Sequence, residues 1–189
     1  ALGIALPVSI NVTVSDFSRS GFADELAQHI IDAGLTPADI HIECLETEKV
    51  LESDAALREL NRLDALGFTI LLDDFGAGYS NISFLRRIPI DMIKLDRSLV
   101  SQIATDNDSR IIARNVIMML KELNYEVLAE GVEDLETARM LEEYGCDEAQ
   151  GYLFARPLPA ADIPAWLLDS KPWRLLAKIH ADPHHRLER

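Results

Sequence analysis

The sequence predicts an α/β protein, a (β/α)8 TIM-like barrel lacking its N-terminal strand or strands, on three observations. Short β-branched or apolar runs alternate with segments of helical period, and strict alternation of strand and helix means parallel pairing through right-handed crossovers. The strand-like runs carry polar groups at their ends, at Asn11, Glu43, Asp73 with Asp74, Lys94, Glu130 and Gln150. A barrel collects its functional groups from such C-terminal strand ends. The rival doubly wound sheet would need a glycine-rich phosphate turn. Here Gly76-Ala77-Gly78 meets Asn81 where a third glycine belongs, and no P-loop lysine follows.

Each element has a local reason. Strand-like runs lie at 7–12 (PVSINV), 39–45 (DIHIECL), 68–74 (FTILLDD), 91–96 (DMIKLD), 126–131 (EVLAEG) and 147–153 (DEAQGYL). Between 53 and 67, Leu57, Leu60, Leu63 and Leu66 share one broad helical face, Ser53 is an N-cap and Gly67 a left-handed stop. Over 108–124 the predicted stripe is Ile112, Val116, Leu120 and Leu123, ending at Asn124. Over 134–145 it is Leu135, Ala138, Leu141 and Tyr144 before Gly145. Six strand–helix units are fewer than eight, and barrels typically need about 250 residues, so the first strand or two are expected upstream. One domain over 1–168 follows, then a peripheral helical tail over 169–189 whose His180, His184 and His185 are read as solvated.

Composition narrows the function. The 189 residues are 48% hydrophobic and 26% charged, with a net charge of −14 from 32 acidic and 18 basic side chains. That balance argues against DNA or RNA polymers, which demand a basic footprint. A small anionic ligand remains possible where bound cations neutralise the local field. No stretch reaches the roughly 18 consecutive apolar residues of a membrane span, and the N-terminus lacks the basic flank of a signal peptide. Cys44 and Cys146 lack metal spacing and read as reduced thiols of a cytoplasmic protein.

The stretch TILLDDFGAGYS, 69–80, ends a buried strand on two adjacent aspartates. Neighbouring like charges oppose each other's ionisation unless a cation sits between them. Asn11, Glu43, Asp73, Asp74 and Glu130 are all hard oxygen donors, suited to Mg2+, Mn2+ or Ca2+. Five such ligands suffice for two ions, which would activate water and stabilise the leaving oxygen of a phosphoryl displacement. Lys94, with its pKa pushed down by nearby cations, would orient or deprotonate that water. Structural readings stand beside these. Glu43 could pair with Lys94, Asp74 could cap a turn, Asn11 could end a strand, and Glu130 and Glu133 could be solvated loop charges.

DDFGAGYSN resembles the DDFG-x-GYS loop of EAL-domain proteins, bacterial phosphodiesterases that hydrolyse cyclic di-GMP. IPIDMIKLDRSLV, LAEGVED and CDEAQGYLFARPLP are similar to further family motifs, in the family's order, and SINVT and IHIECLE match two upstream ones. The resemblance covers roughly residues 5–165. It implies metal ligation by Asn11, Glu43, Asp73, Asp74 and Glu130 and water positioning by Lys94. Glu133 and Gln150 would act around the same site, catalytically and on substrate respectively, and Glu46 would hold the DFGAGYS loop. It implies two ions of Mg2+ or Mn2+, linear pGpG as product, a homodimer, and fused sensory or GGDEF-type domains in a parent that could be membrane-anchored. The alternative is a catalytically silent cyclic di-GMP receptor. Three positions depart from the pattern. The Glu-Ala-Leu tripeptide that names the family does not occur, so its glutamate is expected upstream; Ala77 and Leu45 replace the usual threonines.

Overall fold

The computed structural model describes residues 6–45, 53–78 and 82–168. Glu46 and the proposed tail 169–189 lie outside the described residues. Six parallel strands form one sheet in sequential order: β1 (Val8–Asn11), β2 (Ile40–Leu45), β3 (Thr69–Phe75), β4 (Met92–Leu95), β5 (Glu126–Ala129) and β6 (Glu148–Ala149). Sequential all-parallel order is that of a barrel wall. The helices are α1 (Val14–Phe17), α2 (Phe22–Asp32), α3 (Asp54–Leu66), α4 (Arg97–Val100), α5 (Asn107–Glu122), α6 (Leu135–Glu143) and α7 (Ile163–Leu168). Between β3 and β4 the described residues of the connection hold a 3-10 segment, Ile82–Arg87, and no α-helix.

Several caps fall where the sequence places them. The Ser53 hydroxyl accepts from Ala56 N at the start of α3, Gly67 closes that helix at φ +91°, and Asn124 follows α5 at φ +65°. Two predictions fail. The stripe of α5 is rotated: Ala113, Ile117 and Leu120 are buried, while Ile112 and Leu123 are about half exposed. The helix is apolar on more than one side, so period alone leaves its phase open. The last strand is two residues, not seven, because the chain turns at Gly151 to meet the backbone of Val132. Helix α2, which the pattern did not single out, starts at Gly21 without a side-chain cap of its own. Glu59 of α3 caps it instead, accepting from Gly21 N and Ala23 N at 3.0 Å each.

Residues in register share a face of the sheet. The outer face carries Ile42, Ile70, Leu72, Ile93, Leu95, Val127 and Ala129, all buried beneath the helices in one continuous core. The inner face is different. Leu71, Met92 and Leu128 form a separate small cluster, and above it the alternation places Glu43, Asp73, Lys94 and Glu130. Cys44 and Cys146 form no disulfide with each other; the Cys44 thiol donates to Leu71 O at 3.3 Å, and burial pushes Cys146 up to about 12, which leaves it little thiolate. Among the described residues no helix is long and apolar enough to cross a membrane.

Candidate metal centre

A regular strand would send Asp73 and Asp74 to opposite faces. The register shows how β3 avoids this: Leu72 pairs with Ile93 and Phe75 with Leu95, so three steps along β3 match two along β4. The extra residue is a bulge, and Asp74 sits in it at φ +57°. Its backbone N–H donates to Asp73 Oδ1 at 3.0 Å. The bulge turns Asp74 to the inner face, where carboxylate oxygens of Asp73, Asp74 and Glu130 lie within 4.8 Å of one another.

Lys94 is the charged centre of the inner face. Its ammonium donates to Glu130 Oε1 at 2.7 Å, Asp73 Oδ1 at 2.9 Å and Glu43 Oε2 at 3.0 Å, with the lysine side chain 6% exposed. The pairing of Glu43 with Lys94 is therefore real, and it is part of the cluster. Burial acts to lower the lysine pKa, but the bonds to Asp73, Glu130 and Glu43 outweigh it and hold the amine well above the ordinary lysine value. That is the balance of the metal-free chain, in which carboxylates alone surround the amine; the depression expected from nearby cations belongs to the ion-loaded site. Four carboxylates around one ammonium leave an excess of three negative charges. Accordingly Glu130 is pushed up, by burial first and by Asp73 and Asp74, against the pull of Lys94. Asp74 is pushed up by burial, Asp73 and Asp96, again against Lys94.

The other predicted residues take distinct places. Asn11 is the register partner of Glu43 at the end of β1, while Glu43 itself lies two residues short of the end of β2. Gln150 donates from Nε2 to Glu130 Oε1 at 2.7 Å, so that oxygen accepts from both Gln150 and Lys94. Glu133 stands apart from the three clustered carboxylates, in an ion pair with Arg97 at 2.9 Å. A cleft of about 470 Å3 opens beside Glu130, lined by Arg97, Glu133, Gln150, Tyr152 and Arg156. The Arg156 guanidinium lies 4.5 Å from the Tyr152 ring centroid. Sequence reasoning missed Arg97, Asp96, Tyr152 and Arg156, although Asp96 and Arg97 lie inside the quoted LDRSLV run.

The donor set fits a hard divalent cation. Three carboxylates within reach of one another, with excess negative charge and no nitrogen or sulfur ligand among them, suit a hard, oxygen-ligated cation better than zinc.

Comparison with known proteins agrees. A family model described as EAL domain matches residues 2–157. Cyclic di-GMP phosphodiesterase NbdA of Pseudomonas aeruginosa is 37% identical over 162 residues, which are 86% of this chain and 21% of that protein. The chain spans under a third of each of the first curated relatives it matches. Among solved structures, the EAL enzyme Bd1971 in its cAMP and cyclic-di-GMP bound form superposes with a TM-score of 0.78 at 33% identity, covering 86% of this chain and 42% of that one. Klebsiella pneumoniae BlrP1 in a manganese/cy-diGMP complex gives 0.75 at 36%, covering 82% and 40%.

Proposed function

Because the chain belongs to the EAL-domain family, we propose that it hydrolyses cyclic di-GMP to linear pGpG with the help of two Mg2+ or Mn2+ ions. The observation that carries the reading is the β3 bulge, which turns Asp74 onto the face of Asp73 and Glu130 at the cost of a left-handed backbone. A purely structural strand end has no use for that geometry. Asp73, Asp74 and Glu130 would hold the ions, joined by Glu43 and Asn11. Bound ions supply charge compensation and Lewis acidity for in-line displacement at phosphorus.

The remaining roles belong to the chain's own groups. Lys94, whose ammonium donates to three carboxylates of the site, would orient or deprotonate the attacking water. Gln150 fixes Glu130 through Oε1 while its position in the cleft keeps it near substrate. Glu133 serves the same cleft. Arg97 and Arg156 give the cleft positive charge beside an otherwise acidic site, which suits a phosphodiester. The reading puts the domain in the cytoplasm, in a homodimer and within a longer protein with sensory or GGDEF-type domains, the last in keeping with the relative MucR, named a bifunctional diguanylate cyclase/cyclic di-GMP phosphodiesterase.

The test is incubation of the chain with cyclic di-GMP and Mg2+ or Mn2+, with products separated by chromatography. Linear pGpG that appears only with divalent cation, and stops on chelation, supports the phosphodiesterase. Because the Glu-Ala-Leu glutamate is expected upstream, the same incubation is run on a chain extended through that strand: unchanged cyclic di-GMP from both, with retained binding, makes the domain a receptor.

A further inference from the structure

The short helix α4 carries none of the proposed metal ligands, yet it touches both loops that do. At its start, Asp96 N donates to Phe75 O at 3.0 Å, tying it to the end of β3. Glu130 N donates to Leu95 O at 3.1 Å, tying the end of β5 to the residue just before it. On either side a glycine makes room. Gly76, at φ +93°, lies under Leu99, where a Cβ would overlap the leucine Cδ1. Gly131, at φ +67°, lies under Arg97, where a Cβ would fall 2.6 Å from Cγ and 2.9 Å from Cβ and Cδ. Both neighbours of α4 are therefore approached more closely than any other residue would permit.

Arg97 does two things from this position. Its methylene stem covers Gly131, the residue between Glu130 and Val132, and its guanidinium reaches over the loop to Glu133. The loop below is laced onward: Val132 N donates to Gln150 O at 3.0 Å, Leu153 N to Val132 O at 3.0 Å, and Gln150 Nε2 to Glu130. The ion pair itself is open to water, with side chains 59% and 47% exposed, and pairs of that kind contribute little. The packed stem is the stronger constraint.

We propose that Arg97 is a positioning residue: its stem, clamped on Gly131, sets the β5 loop so that Glu130 faces Asp73 and Asp74, and so governs divalent-cation affinity. The proposal rests on the reading of those three carboxylates as cation ligands, but its mechanical part does not. Arg97→Met keeps the stem and removes the charge, while Arg97→Ala removes both.

Two measurements on the purified chain test it. The first is Mn2+ binding alone, by calorimetry or by the loss of the free-ion electron paramagnetic resonance signal. Arg97→Ala weakens Mn2+ by about tenfold, the scale of lost support around metal ligands, and Arg97→Met stays within about twofold of the parent. The second is amide hydrogen exchange at Val132, Gln150 and Leu153 without metal. Exchange accelerates in Arg97→Ala and is restored in Arg97→Met. Equal Mn2+ affinity and equal exchange in both variants and the parent overturn the proposal. Equal losses in Arg97→Met and Arg97→Ala overturn the role of the stem and assign it to the ion pair. A parent chain that binds no Mn2+ overturns the metal reading and the affinity claim together, with the exchange data still deciding whether Arg97 sets the loop.

Discussion

The two faces of the sheet obey opposite rules. On the outer face every strand offers apolar residues to the helices, and Ile42, Ile70, Leu72, Ile93 and Leu95 merge into one core. On the inner face the apolar layer stops after Leu71, Met92 and Leu128, and the next layer up is Glu43, Asp73, Lys94 and Glu130. Burial stabilises the first face, whereas on the second face burial works against the charges it covers. On the proposed reading, the difference gives folding to the outside and ligand chemistry to the inside. It also says which substitutions a cation can correct.

The sharpest separation comes from removing the ammonium. Lys94→Met leaves Glu43, Asp73 and Glu130 without their partner in a poorly solvated site, which costs about 4 kcal/mol in metal-free chain. Mn2+ supplies positive charge to the same carboxylates and recovers part of that loss. On the outer face, Leu60→Ala opens a cavity under α3 and costs about 3 kcal/mol, unchanged by Mn2+ because Leu60 is fully buried in the helix-side core. Urea unfolding with and without Mn2+ measures both. A Leu60→Ala deficit that Mn2+ repairs, or a Lys94→Met deficit that it does not, would break the division between the faces.

A smaller effect is read by pH. The carboxyls of Asp74 and Glu130 titrate above their unfolded values, so across that window the folded chain binds more protons than the unfolded one. Stability from these two groups therefore falls as pH rises through the window from the ordinary carboxylate range upward. Lys94 is raised too, and its contribution is intact below the ordinary lysine pKa and lost only above it. Asp39 and Asp106, held low mainly by hydrogen bonds from Thr36 and Ser109, have the opposite slope on the acid side. The two contributions are separated by comparison: metal-free Asp74→Asn gains more over the parent at pH 7 than at pH 4, by urea midpoint. An equal gain at both would remove the charge crowding from the account.

The sequence made the inner face legible wherever strand alternation held. Asn11, Glu43, Asp73, Lys94 and Glu130 all fall on it by counting in steps of two, and motif resemblance led to the same residues. Asp74 breaks that count, since only the bulge explains how a neighbour of Asp73 shares its face. A bulge is set by a mismatch between two strands, which no single strand encodes. The same limit hid α2, capped by Glu59 from a distant helix, and Arg97, whose partner Gly131 lies across a loop. Local signals such as Ser53, Gly67 and Asn124 were read correctly because cap and helix lie within a few residues of each other.

The bulge offers the finest test, because among the described residues there are two non-glycine positions at positive φ, Asp74 and Asn124. Both have the left-handed backbone, and only Asp74 adds a crowded carboxylate. Replacing either with glycine relieves the backbone, but glycine also gives the unfolded chain more freedom, so Asn124→Gly changes stability by roughly 0.5 kcal/mol or less. Asp74→Gly relieves charge as well and stabilises the metal-free chain by roughly 1 kcal/mol. The same substitution removes a proposed ligand, so Mn2+ affinity falls in Asp74→Gly and is unchanged in Asn124→Gly. Thermal unfolding without metal and Mn2+ titration of both variants complete the comparison. If Asp74→Gly gains no more stability than Asn124→Gly, the bulge holds no electrostatic cost for a cation to relieve. If it gains stability and keeps its Mn2+ affinity, the bulge serves some purpose other than ligation.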